Sequence, residues 1–280
     1  MGASTKVTKR VPENTDRLRG GPEPYFASES GDFLLYLGDA LEVLPRMADG
    51  SVDLIFADPP YFLSNGGITC HSGRMVSVNK GDWDRLETIE MMHQFNREWL
   101  AVCQRALSPN GTIWISGTRH IICSVGFALQ QLGFKLLNEI TWEKPNPPPN
   151  LSCRYFTHST ETILWAARDK RSKHKFNYQN MRREAGERQM KSVWRLLPPS
   201  KDEKTLGSHP TQKPLALLER IITAASDEGD LVLDPFVGGG TTGIAARGLR
   251  RRFIGIDADQ SFIELTAERY RQAEAQKKMF

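Results

Sequence analysis

A short apolar run, Val52-Asp53-Leu54-Ile55-Phe56-Ala57, is cut off by Asp58-Pro59-Pro60-Tyr61. This is the tightest local constraint in the chain. Each proline fixes φ and lacks an N–H, and each disfavours the helical region for the residue before it. The run is therefore a strand that stops in a rigid turn. Asp58 and Tyr61 project from that turn at the strand's carboxyl end, where open α/β sheets place their ligands. A carboxylate beside a flat ring on a stiff frame can hold a planar amine. Asp58, Pro59, Pro60 and Tyr61 form the candidate catalytic turn.

The rest of the chain alternates strand and helix patterns. Residues 33–37 read as a buried strand ending at Gly38-Asp39, ahead of a short helix over 40–47. Asp39 fits either a ligand carboxylate or a helix N-cap, and the local pattern favours the cap. Residues 88–107 carry apolar positions at helical spacing, and 108–111 read as a turn. Strands are expected at 112–116, 134–142 and 162–167, with a helix over 120–132. A helix reaching about residue 226, a strand at 231–234, a helix through Ala245 and Leu249, a strand at 253–257 and a helix over 261–275 follow. This alternation specifies an α/β fold with a mostly parallel twisted sheet flanked by helices. The expected divisions are a flexible tail (1–30), a first half carrying the candidate turn (31–167), an inserted basic region (168–207) and a second half (208–280). The long Gly-, Ser- and Asn-rich stretch 62–84 leaves directly from the candidate turn and reads as a lid or substrate-contacting loop.

A second centre lies near the C-terminus. Gly238, Gly240 and Gly243 match G-x-G-x-x-G between a strand and a helix, and Asp257 ends the next strand. Glycines there allow close backbone approach to a nucleoside cofactor, and the acid takes its ribose hydroxyls. The spacing alone admits NAD or S-adenosylmethionine. Asp234 and Phe236, beside the glycines, suit a sulfonium or amino group and an adenine ring better than a pyrophosphate.

Composition removes other classes. No apolar run is long enough to span a membrane, and residues 1–24 have no secretory h-region. Cys70, Cys103, Cys123 and Cys153 stand singly, which argues against a zinc site or a disulfide framework and fits a reducing cytoplasm. The net charge of +4 is uneven. Residues 168–204 carry 12 Lys/Arg and 5 Asp/Glu, with Phe176, Tyr178 and Trp194 interleaved. Cations among aromatics suit a nucleic acid; a solvated loop around a small satellite core would share that composition.

The Asp-Pro-Pro-Tyr turn resembles the [DNS]-PP-[YFW] motif of amino-group DNA methyltransferases. Its place ahead of a basic segment, His209-Pro210-Thr211-Gln212-Lys213-Pro214 and the Phe236-x-Gly238-x-Gly240 turn resembles the β class of these enzymes. The stretches 58–67, 79–84 and 150–161 further resemble the second adenine methyltransferases of DpnII-type restriction–modification systems, which modify GATC and accept single-stranded DNA.

The resemblance implies a Rossmann-like S-adenosylmethionine-dependent methyltransferase fold with permuted motif order and an inserted basic recognition region. It implies transfer of a methyl group to adenine N6 in DNA, with Asp58 and the Pro59 carbonyl holding the amine and Tyr61 stacking on the flipped base. Implied cofactor contacts are Asp39, Asp58, Asp234, Phe236, Gly238, Gly240, Thr241, Thr242 and Asp257, with His209, Thr211 and Lys213 toward the methionine end. Trp142 and Lys144 are expected to border the base. Arg154, Lys173, Lys175, Arg182 and Arg183 are expected to meet DNA. A cognate restriction endonuclease and a second copy of the chain are the implied protein partners, in the bacterial cytoplasm. N4-cytosine transfer is the nearest alternative. RNA or protein-glutamine methylation, an NAD-dependent oxidoreductase and a non-catalytic DNA-binding module each explain fewer of these features.

Overall fold

The computed structural model describes residue 18 and residues 23–61, 68–71, 74–77, 88–207 and 211–277. In chain order these contain β1 (Phe26–Ala27), β2 (Phe33–Leu37), α1 (Ala40–Val43), β3 (Val52–Ala57), β4 (Ile68–His71), β5 (Arg74–Ser77), α2 (Ile89–Ala106), β6 (Leu107–Gly117), α3 (Ile122–Gln131) and β7 (Lys135–Glu143). They continue with β8 (Thr160–Ala167), α4 (Tyr178–Glu184), β9 (Val193–Arg195), α5 (Leu215–Ala225), β10 (Leu231–Asp234), α6 (Thr241–Gly248), β11 (Arg252–Asp257) and α7 (Gln260–Lys277).

Successive strand residues face opposite sides of a sheet, and here both sides are covered. Leu34, Tyr36, Ile55, Ala57 and Ile254 pack under α1, α2 and α3 with Trp99, Leu100 and Leu129. Phe33, Leu35, Leu54, Phe56 and Phe253 pack on the other side with Leu218, Ile222, Ala246 and Ile263 of α5, α6 and α7. Strands buried on both faces read as unbroken apolar runs, which is why β2, β3 and β10 were legible. Each fully buried large side chain contributes roughly 1.5–3 kcal/mol.

The sheet has nine strands in the order β1-β2-β11-β10-β3-β6-β8-β7-β9. Strands β2, β11, β10, β3 and β6 are parallel. Strand β8 is antiparallel to both β6 and β7, so its first residues lie beside the last residues of β6, with Gly117 opposite Thr162. The carboxyl ends of the parallel strands, the start of β8 and the end of β7 share one edge.

Three expectations change. The tail is structured from its distal part: β1 pairs with β2, and Phe26 packs edge-on to Tyr270 at 5.5 Å. The expected turn at 108–111 is absorbed into β6, opposite a register shift between Val52 and Leu54. The basic region is also built into the fold. Strand β9 extends the main sheet by pairing with β7, and Met181 and Trp194 are buried. Within the expected loop 62–84, the described residues of β4 and β5 form an antiparallel ladder.

Candidate active site

Four acids stand at the carboxyl ends of four neighbouring strands. Asp39 follows β2, Asp257 ends β11, Asp234 ends β10 and Asp58 follows β3. Between β10 and β3 opens a cleft. Asp58, Thr211, Lys213, Asp234, Phe236 and Gly238 are among its lining residues. An edge this acidic repels a pyrophosphate and attracts a cation. Its charge fits the sulfonium and amino groups of S-adenosylmethionine.

The glycine turn shapes one wall. Gly238 and Gly240 have φ of 48° and 76°, left-handed values that glycine adopts without strain. A Cβ on Gly240 would lie 2.5 Å from Thr266 Oγ1. The Gly238 N–H donates to Asp257 Oδ2 at 2.8 Å, which fixes that carboxylate against the turn. Phe236 is half-buried, edge-on to Trp99 at 5.4 Å. Asp234 accepts from the Phe236 N–H at 3.0 Å and from Thr242 Oγ1 at 2.6 Å. Burial pushes Asp234 up to about 7, against these hydrogen bonds. Burial also raises Asp257. Asp39 caps α1, accepting from the Leu41 N–H at 2.7 Å, and remains exposed.

The Asp-Pro-Pro-Tyr turn forms the other wall. Tyr61 donates its hydroxyl to Asp58 Oδ1 at 2.5 Å, and Lys213 donates to Asp58 Oδ2. Lys213 also donates to Tyr61 Oη at 3.1 Å and to the Thr211 carbonyl at 3.0 Å. Glu161 lies 3.7 Å from the same ammonium, pairs with Lys144 and accepts from Ser116 Oγ at 3.4 Å. Burial raises Asp58, and Lys213 opposes that rise. Burial works against the Lys213 charge, but Asp58 and Glu161 outweigh it and hold the ammonium above the ordinary lysine range. Tyr61 is 4% exposed, and burial lifts its phenol well above the ordinary value. The stacking face expected of Tyr61 is thus covered, and its hydroxyl serves the carboxylate.

The remaining expected residues divide by position. Thr211 lines the cleft, and Thr241 and Thr242 begin α6 beneath it. His209 lies outside the described residues. Trp142 is 2% exposed and donates its indole N–H to the Leu196 carbonyl at 2.9 Å, so it packs the core instead of bordering a base. Lys144 sits over the Trp142 ring, 4.6 Å from its centroid, with its charge on Glu161. Arg154 is exposed on the loop between β7 and β8. Lys173 and Lys175 follow the end of β8, beside the start of β6, at the opposite edge of the sheet. Lys175 pairs there with Asp227. Arg182 and Arg183 lie on α4 and bond locally to Glu187 and Asn180.

Sequence reasoning missed Glu161 and Ser116. Glu161 sits one residue before the strand expected at 162–167, and its place beside Asp58 depends on β8 running antiparallel. A single acid at a strand start carries no signal of that reversal.

Comparison with known proteins agrees with this geometry. The DNA methylase family matches residues 52–268. The chain is 54% identical over 261 residues to the type II methyltransferase M2.DpnII of Streptococcus pneumoniae, covering 92% of this chain and 97% of that one. It is 50% identical over 250 residues to the type II methyltransferase M2.MboI of Moraxella bovis, covering 89% and 92%. Among solved structures, the M1.HpyAVI–SAM complex superposes with a TM-score of 0.64 at 30% identity, over 85% of this chain and 98% of that one. With a cleft suited to a sulfonium and a rigid carboxylate turn beside it, the chain belongs to the DNA methylase family and is an S-adenosylmethionine-dependent DNA methyltransferase.

Proposed function

We propose that the enzyme methylates N6 of adenine, in GATC, on double-stranded and single-stranded DNA. The observation that carries this reading is the Asp58 carboxylate, held by Tyr61 and Lys213 at the mouth of an acidic cleft. An exocyclic amine is a poor nucleophile because its lone pair is delocalised into the ring. Asp58 and the Pro59 carbonyl accept its two hydrogens, which frees the lone pair, and Asp58 is the nearest acceptor for the proton lost on methylation. S-adenosylmethionine, when bound, supplies a methyl group on a sulfonium that leaves as a neutral thioether. Asp234, Phe236, Gly238, Gly240, Thr241, Thr242 and Asp257 hold it, with Asp39 and Thr211 at the margins. Positioning of the two reactants supplies most of the rate.

DNA meets the carboxyl edge. Arg119, Arg154, Tyr155, Phe156 and His158 are exposed on the loops that follow β6 and precede β8. Phe156 is 96% exposed, and Asn150 braces the loop by accepting from the Ser152 N–H at 3.1 Å. Such a ring among cations suits an unstacked base or a widened base step. The resemblance of residues 58–67 and 150–161 supports GATC. It also supports a cognate endonuclease, a homodimer and a bacterial cytoplasmic setting. Among the described residues no helix is long and apolar enough to cross a membrane.

The test is incubation of the purified protein with S-adenosylmethionine and DNA, followed by nucleoside analysis and sequencing for modified bases. N6-methyladenine within GATC is expected on both strand forms. N4-methylcytosine overturns the base assignment.

A further inference from the structure

We propose that Lys213, braced by Glu161, is a positioning residue that keeps Asp58 in its acceptor-only carboxylate form and fixes its orientation toward the amine. This rests on the reading of Asp58 as the amine's acceptor. The residues form a chain of alternating charge, Asp58, Lys213, Glu161, Lys144, drawn from the turn after β3, the segment before α5, the start of β8 and the end of β7.

An ammonium has three N–H groups. Those of Lys213 have three acceptors, Asp58 Oδ2, Tyr61 Oη and the Thr211 carbonyl. The side chain is 4% exposed, so it has no freedom to swing into solvent. Glu161 stands at 3.7 Å, in ion-pair range of the same ammonium. The lysine is therefore pinned between two carboxylates.

Asp58 needs this. Its side chain is 12% exposed, and a buried carboxyl without a cation takes up a proton. Protonated, it would present an O–H to a group that itself offers only N–H donors. Ionised, each oxygen has about two acceptor sites. Tyr61 and Lys213 occupy one on each oxygen, and the remainder face the substrate. Among the described residues, the charged and titratable groups around Asp58 are Lys213, Glu161, Tyr61 and, across the cleft, Asp234; Lys144 acts through Glu161.

The test is the pH dependence of single-turnover methylation with saturating S-adenosylmethionine and GATC-containing DNA, in the full-length protein. Lys213→Met is expected to move the acid limb upward by about one unit or more, with low rate near neutrality and recovery toward alkaline pH. Lys213→Arg keeps the charge and is expected to leave the limb in place with a lower plateau. Glu161→Gln removes an anion that opposes ionisation of Asp58, so its limb is expected to move downward. Opposite displacements separate this role from general loss of structure, and Lys213→Gln, which also removes the charge, decides if Lys213→Met does not fold. An Asp58→Ala enzyme retaining rate across the range rejects the acceptor reading itself. An inactive Asp58→Ala enzyme with an unmoved limb in Lys213→Met or Lys213→Gln rejects only the Lys213 assignment.

Discussion

Thr242 donates its hydroxyl to Asp234 Oδ2 at 2.6 Å from the first turn of α6, so the helix start and the end of β10 are tied below the cleft. The acid is 2% exposed and burial lifts it to about 7 from an ordinary 3.8. A cationic ligand favours its ionised form. The dissociation constant for S-adenosylmethionine is expected to rise by about tenfold per unit as pH falls below 7. Asp234→Asn should abolish that dependence. Calorimetric titration across this range checks both, and a flat parent profile rejects the assignment. For the unliganded protein the sign reverses. A folded value above the unfolded one favours the protonated fold, so this contribution is present below about pH 4 and lost as pH rises through 7.

Asp58→Ala is expected to reduce methylation by at least ~10²-fold. S-adenosylmethionine affinity should change little, because the glycine wall and Asp234 are untouched. Turnover and equilibrium binding measured on the same preparation separate the two. Activity within about tenfold of the parent would remove Asp58 from the chemistry.

The exposed rings and cations near the start of β8 replace the far end of the basic region as the expected DNA face. Phe156→Ala should weaken binding by roughly 1–3 kcal/mol with an unchanged salt slope. Arg154→Ala should lower the slope by about one. Lys173→Ala and Lys175→Ala, at the opposite edge, should leave both quantities unaltered. Fluorescence titrations at several salt concentrations read each effect; a slope that responds to Lys173 and not to Arg154 reverses the placement.

Gly240→Ala combines a φ of 76° with a Cβ 2.5 Å from Thr266 Oγ1. The left-handed backbone costs about 1–2 kcal/mol for a residue with a Cβ, and the contact adds ~1–3 kcal/mol of overpacking. A loss of several degrees in Tm and weakened S-adenosylmethionine binding are expected. Thermal unfolding with and without ligand measures both, and an unchanged Tm contradicts the packing.

Local physics made much of the frame legible. Apolar runs bounded by turn residues located β2, β3 and β10. Thr88 and helical spacing located α2, and glycines after a strand located the second wall of the cleft. Interactions between distant segments were harder to read. Residues 168–207 lack apolar periodicity, so α4 and β9 were invisible; β9 is three residues long and forms only because β7 offers an open edge. Trp142 sat near the right motif yet faces the core, since strand parity decides which side a residue meets. Lys213 lines the cleft where the resemblance puts the cofactor's methionine end, and its ion pair with Asp58, remote in sequence, left no local signal. Glu161 was missed for the same reason: its partners are remote in sequence.

Asp58 and Lys213 are 155 positions apart, and the sheet order sets when they can meet. Strands β2 and β3 are consecutive in the main sheet's sequence, yet β11 and β10, which follow them by well over a hundred residues, lie between them. A nascent chain that has already displayed Asp-Pro-Pro-Tyr has neither its counter-ion nor a closed central sheet. The acceptor carboxylate, its counter-ion and the central sheet are therefore completed together, when the segment carrying Lys213, β10 and β11 threads between two strands that precede it in the chain.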